Sequence, residues 1–250
     1  MQEKKRIHML DAVRGMAVLL MVVFHAFFTY GVLFGFPFFQ RGYAAAEEIA
    51  PPVISTLFIF SCAYSCLLSK NNIRRGLIIF AVAMGMSVVT IWILPLLGIE
   101  GEGIWFGILH CLGICVLLSP LLFRLLRKIP WYLSIPVLLV LAIGTRSLMR
   151  EGFFGIEVQD PIQSVNLLFP FGIFHGDFYS ADYYPLFPYL FVFAIGCVLA
   201  LRFPPEKLPA RFYQKICPPL EWLGRHALVI YVVHQPLLYA VGFAAQTLLG

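Results

Sequence analysis

Long apolar runs alternate with short polar loops along this chain, and seven of those runs approach the length of a bilayer-spanning helix. They lie at approximately 9–35, 50–69, 76–97, 104–123, 131–148, 185–201 and 223–248. A helix rising about 1.5 Å per residue needs roughly 20 mostly apolar residues to cross a hydrocarbon core. Lipid gives the backbone no hydrogen-bond partners, so such runs must pair their own amides and fold as helices. The expected fold is all-α, a single polytopic membrane bundle of about seven transmembrane helices over residues 1–250. No repeat or polar linker divides it. Only 12% of the residues are charged, about half the share of a soluble domain. The first run follows Lys4-Lys5-Arg6, as a signal peptide would. It is much longer than the roughly 7–15 apolar residues of a signal, and it holds Asp11, Arg14 and His25, so it is expected to be retained.

The loops give an orientation. With the N-terminus in the cytoplasm, fourteen of the eighteen Lys and Arg fall on the inner side. Among them are Arg74, Arg75 and Arg225. Glu47, Glu48, Glu100, Glu102, Asp177 and Asp182 fall outside. Lys/Arg bias sets orientation, so the expected topology is N-terminus inside and C-terminus outside. The apolar stretch at 165–174 is too short to span. It is placed in a long, aromatic outer segment at 149–184, where a re-entrant excursion is open.

The net charge of +5 does not point to nucleic acid, because the basic residues lie between apolar runs instead of forming a patch. Cys62/Cys66 and Cys111/Cys115 each share a helix face. They read as small apolar side chains, and no metal is expected without a third ligand at suitable spacing.

Ionisable groups inside spanning helices are costly, so each is a functional hypothesis. Asp11, Arg14 and His25 fall on one face of the first helix at 100° per residue, with His25 about 16 Å above Arg14. An Asp–Arg pair anchoring the helix end is the plain structural alternative. For His25 the alternative is an interhelical hydrogen bond. His110, in the fourth run, lies at a depth that overlaps that of His25. In the last run, Pro236 leaves the carbonyl of Val232 without its helical partner, and His234 and Gln235 flank that break. A plain kink is the alternative. Arg225 stands where the last run leaves the cytoplasm and suits an anionic headgroup or a ligand phosphate. His175, Asp177 and Asp182 lie outside, within reach of an acceptor or simply in a solvated loop.

Taken together, Leu10-Asp11-x-x-Arg14-Gly15 with His25, Phe106-Gly107-Ile108-Leu109-His110, Pro185-Leu186-Phe187-Pro188, Gly224-Arg225-His226 and Tyr231-x-x-His234-Gln235-Pro236 resemble the catalytic-domain family of heparan-α-glucosaminide N-acetyltransferase. The resemblance covers nearly the whole chain. The Arg14–His25 interval also resembles that of the wider transmembrane acyltransferase superfamily. The resemblance implies transfer of an acyl group from acyl-CoA, with acetyl-CoA the expected donor, to a hydroxyl or amine across the membrane. A glycan or amino sugar is the implied acceptor. A prokaryotic-type cytoplasmic membrane is the implied location, with a homodimer as one assembly open to it. Under this reading His25 is the general base, or less favourably a transient acyl carrier. His110 or His234 polarises the carbonyl or orients the acceptor. Arg14, Arg74, Arg75 and Arg225 hold CoA phosphates, and Asp11 and Gln235 complete the polar network. The lysosomal relatives align Asn with His25, so an acyl-histidine intermediate does not carry over.

A transporter or flippase is the rival class, since buried histidines and a broken helix also serve such proteins. A retinal receptor is disfavoured, because all six lysines lie in loops or at helix ends.

Overall fold

The computed structural model describes residues 6–96, 98–99, 101–146, 166–174 and 178–249. Every long element among them is a helix, and no strand occurs among them. In chain order the helices are α1 (His8–Phe28), α2 (Pro37–Ala46), α3 (Ala50–Leu68), α4 (Asn72–Val88), α5 (Leu94–Leu96), α6 (Ile108–Leu126), α7 (Trp131–Arg146), α8 (Leu186–Arg202), α9 (Pro218–Arg225) and α10 (Ala227–Leu249). Among the described residues five segments are long and apolar enough to cross a membrane: His8–Leu33, Ala50–Leu68, Asn72–Leu96, Ile108–Leu126 and Ala227–Leu248. Helices α7 and α8 are apolar but shorter, at 16 and 17 residues. At about 1.5 Å per residue they reach roughly 24–26 Å. Leu19, Leu20 and Val23 on α1 and Leu77, Ile78, Met84 and Val88 on α4 are exposed. Such continuous apolar surface suits acyl chains rather than water.

Contacts divide the chain into two compact units, residues 1–61 with 205–250, and residues 62–204. In the first unit α1 packs along α9 and then against α10. The crossing with α9 is made by two glycines. A Cβ on Gly15 would lie 1.8 Å from the carbonyl oxygen of Leu220, and one on Gly224 would lie 1.9 Å from that of Asp11. Backbone therefore rests on backbone, the device small residues provide between membrane helices. Helix α1 ends in a π-helical turn at Thr29–Leu33, where the Phe34 amide donates to the Thr29 carbonyl.

In the second unit α4 packs on α6, and α8 packs on both α6 and α7. Hydropathy begins the fourth run near 104, but α6 starts at Ile108. Gly107 is extended there, and side chains satisfy the exposed amides. The Gly107 amide donates to His110 Nδ1 at 3.1 Å, and the Ile108 amide donates to Asp182 Oδ2 at 3.0 Å. These are two of the donors a helix start leaves open.

The last apolar run, expected over 223–248, is two helices rather than one. Helix α9 closes at Arg225, His226 has non-helical geometry, and α10 begins at Ala227. Arg225 thus ends a short amphipathic helix instead of opening the spanning one. Helix α10 passes through Pro236 without being divided there.

Candidate functional site

Two polar clusters lie along the face of α1 in the first unit. The lower one gathers around Asp11, which is buried. Arg6 Nε donates to Asp11 Oδ2 at 2.6 Å, and Arg14 Nη1 lies 3.6 Å from Asp11 Oδ1. A buried carboxylate is tolerable only when paired in this way. Arg14 also donates to the carbonyl of Gly224 at 3.4 Å, which ties the α1–α9 crossing at the same point. Beside it, His8 Nδ1 donates to Glu221 Oε2 at 2.7 Å, and the Ile216 amide donates to Glu221 Oε1 at 3.0 Å. Arg225 is exposed at the end of α9.

The hydrogen bond from His8 holds the Glu221 carboxyl below its usual range, with the Ile216 amide helping and burial opposing. A depressed carboxyl contributes stability above its unfolded pKa and loses it as pH falls through the folded one. Glu221→Gln is therefore expected to flatten the acid side of the thermal-stability profile in detergent. Near neutral pH its melting temperature should lie below that of wild type, and the two curves should converge at low pH.

The upper cluster lies where α1 meets α10. The His25 and His234 rings stand 4.9 Å apart, centroid to centroid, edge to face. One turn above His25, the Thr29 hydroxyl accepts from Gln235 Nε2 at 3.1 Å. Thr29 is fully buried, and the π-helical turn begins at it. Such turns concentrate at functional sites. His234 is buried, and its Nδ1 lies 2.7 Å from the Tyr231 carbonyl. His234 Nε2 and Gln235 Oε1 are buried without a hydrogen-bond partner among the described residues. Orphaned buried polar atoms are rare and call for an explanation.

The other sequence candidates lie in the second unit. His110 uses both ring nitrogens locally. Nδ1 accepts from Gly107, and Nε2 lies 3.2 Å from the Ser87 hydroxyl, which donates to the Ile104 carbonyl at 2.7 Å. Phe106 stacks on the ring at 5.3 Å and Phe80 meets it edge-on at 5.8 Å. Arg75 turns to the thiols of Cys62 and Cys66, at 3.6 and 3.8 Å. Arg74 is exposed, and its backbone amide is capped by Asn71. Asp182 caps α6, while His175 and Asp177 lie outside the described residues. Among the described residues no three His, Cys, Asp or Glu are arranged to hold a metal ion.

His25, His234 and Gln235 are therefore brought together, and Asp11 and Arg14 share a second cluster on the same helix. Sequence reasoning missed Thr29, which stands one turn from His25. It also missed the His8–Glu221 pair, whose members are separated by 213 positions. Only the position of Thr29 carried any signal, through its spacing of four.

A family model described as "Heparan-alpha-glucosaminide N-acetyltransferase, catalytic" matches residues 6–236. The chain belongs to this family. The match includes both polar clusters and runs up to Pro236, so every residue that builds them falls within the family's extent. No curated protein and no solved structure matches the chain. Membership points to an acetyltransferase-type enzyme carried by a membrane helical bundle.

Proposed function

We propose that this protein moves an acetyl or other acyl group from cytoplasmic acyl-CoA to a hydroxyl or amine, of a glycan or amino sugar, at the outer face. The acid–base work is assigned to the His25–His234 pair. The observation that carries this reading is the pair of orphaned atoms beside that contact. His234 Nε2 and Gln235 Oε1 are unpaired and buried. An amide oxygen only accepts, so the group that fills this place brings O–H or N–H donors. An alcohol or amine acceptor fits that demand, and a thioester carbonyl, which is itself an acceptor, does not.

The chemistry then balances. An imidazole takes the proton as the acceptor's oxygen or nitrogen attacks the thioester carbon. The C–S bond breaks, and the proton passes to the departing CoA thiolate. A neutral imidazole can accept the proton in the first step and, as imidazolium, donate it in the second. Two imidazoles in ring contact allow one to take the proton and the other to return it, and His25 is the candidate assigned by family resemblance.

The charge bias of the loops supports seven spans with the N-terminus and the arginines inside. Arg225, in the unit that carries the histidine pair, is exposed and available to CoA phosphates, where guanidinium gives bidentate contacts, and Arg74 is exposed in the other unit. Arg14 and Arg75 already hold partners of their own and position the helices that carry them. His110 is assigned a supporting role, because its ring nitrogens fix the start of α6.

The test is acyl-CoA turnover by purified protein in proteoliposomes. Free CoA should appear in step with acylated acceptor when a hydroxyl or amino sugar is supplied on the opposite side. Acceptor or lipid movement without CoA release would instead favour the transporter class.

A further inference from the structure

Resting on the acyl-transfer reading, we infer that His234, through Nε2, is the group that takes the proton from the acceptor, and that the Tyr231 carbonyl fixes the tautomer that makes this possible.

A carbonyl oxygen can only accept. Its 2.7 Å contact with His234 Nδ1 therefore places the proton on Nδ1, and in the neutral ring the lone pair is then on Nε2. The hydrogen bond made by one imidazole nitrogen sets the state of the other. The bond is local, running back three residues along α10. It is kept by the helix itself and not by a mobile partner. Nε2, the atom left basic, is the one that is buried and unpaired. A structural histidine uses both nitrogens, as His110 does. His234 uses one and reserves the other.

Gln235 adds direction. Its Nε2 is committed to Thr29, so Oε1 is turned away as a second acceptor and is likewise unpaired. The titratable side chain facing His234 from α1 is His25, at 4.9 Å, and Tyr231 stands beside it on α10 at 5.7 Å. His25 is only half-buried and has no comparable bond to fix its tautomer among the described residues. The proton taken by His234 Nε2 then passes across this ring contact to His25, which returns it to the CoA thiolate, so both rings end neutral. The base role that family resemblance gives to His25 thereby moves to His234, which that reading uses only to polarise the carbonyl or orient the acceptor. Proton abstraction belongs to His234, and His25 serves the leaving group.

Nitrogen-15 NMR of histidine-labelled protein in micelles reads the tautomer without turnover. His234 should appear protonated at Nδ1 and unprotonated at Nε2 near neutral pH. The opposite tautomer would overturn the inference. In turnover assays, His234→Gln should lower kcat/KM at least 100-fold and remove the acidic limb of its pH profile. The KM for acetyl-CoA should stay within about twofold. His25→Gln should keep that limb. Loss of the limb in His25→Gln together with its survival in His234→Gln would return the base role to His25 while leaving acyl transfer intact. A wild-type protein with no CoA turnover would overturn acyl transfer itself and this role with it, even where the tautomer is as expected.

Discussion

His25→Ala is expected to reduce acyl-CoA-dependent transfer by about 100- to 10,000-fold, the usual worth of a positioned acid–base group. The bundle should remain folded. His25 is half-buried on α1, its ring contacts are with Phe24 and His234, and it does not sit on the α1–α9 glycine crossing. Losing the imidazole removes one member of the pair and leaves His234 with its bond to Tyr231. The measurement is the initial rate of CoA release by purified variant and wild type, with thermal melting in detergent as the folding control. Wild-type rates from a folded His25→Ala protein would remove His25 from the chemistry. A rate lost together with the melting transition would instead assign the residue to packing, and His25→Gln, which keeps much of the volume, separates the two cases.

The membrane class was legible because lipid allows few solutions for long apolar runs. Element ends were less legible where side chains decide them. Hydropathy starts the fourth run near 104, but His110 and Asp182 set the first turn of α6 at Ile108. The same blindness carried the end of α9, from Leu223 to Arg225, into the spanning run, whose helix begins only at Ala227. Helical periodicity placed Asp11, Arg14 and His25 on one face, and all three do serve polar clusters of the first unit. Depth along a helix does not name neighbours, however. His110 matched His25 in depth, but the ring that meets His25 is that of His234, from a segment more than two hundred residues away. As sequence, the words Arg14-Gly15 and Gly224-Arg225 offer a role for their arginines alone. Their glycines are the two halves of one helix crossing, which emerges only when the backbones are laid together.

That crossing carries the other large expected effect. Gly224→Ala should separate α1 from α9, because the new methyl would fall 1.9 Å from the Asp11 carbonyl oxygen and 2.9 Å from the Gly15 amide nitrogen. Both neighbours are backbone, so no side chain can rotate away. Overpacking of this kind costs about 1–3 kcal/mol or more. The strain is not confined to the glycine. Arg14 donates to the carbonyl of Gly224 itself, and Asp11, whose carbonyl is struck, holds Arg6 and Arg14. Three residues downstream of Gly224, α10 begins and leads to His234 and Gln235. A shift of α9 therefore disturbs the arginine end directly and the histidine pair through the chain. Gly224→Ala should lower the melting temperature in detergent by several degrees and depress turnover, and Gly15→Ala should do the same through Leu220, at 1.8 Å. Because the two methyls act on one contact, the double variant should cost less than the sum of the singles. Additive losses would mean that each glycine acts at a separate place, and an unshifted melting curve for either single variant would mean that the helices do not meet there.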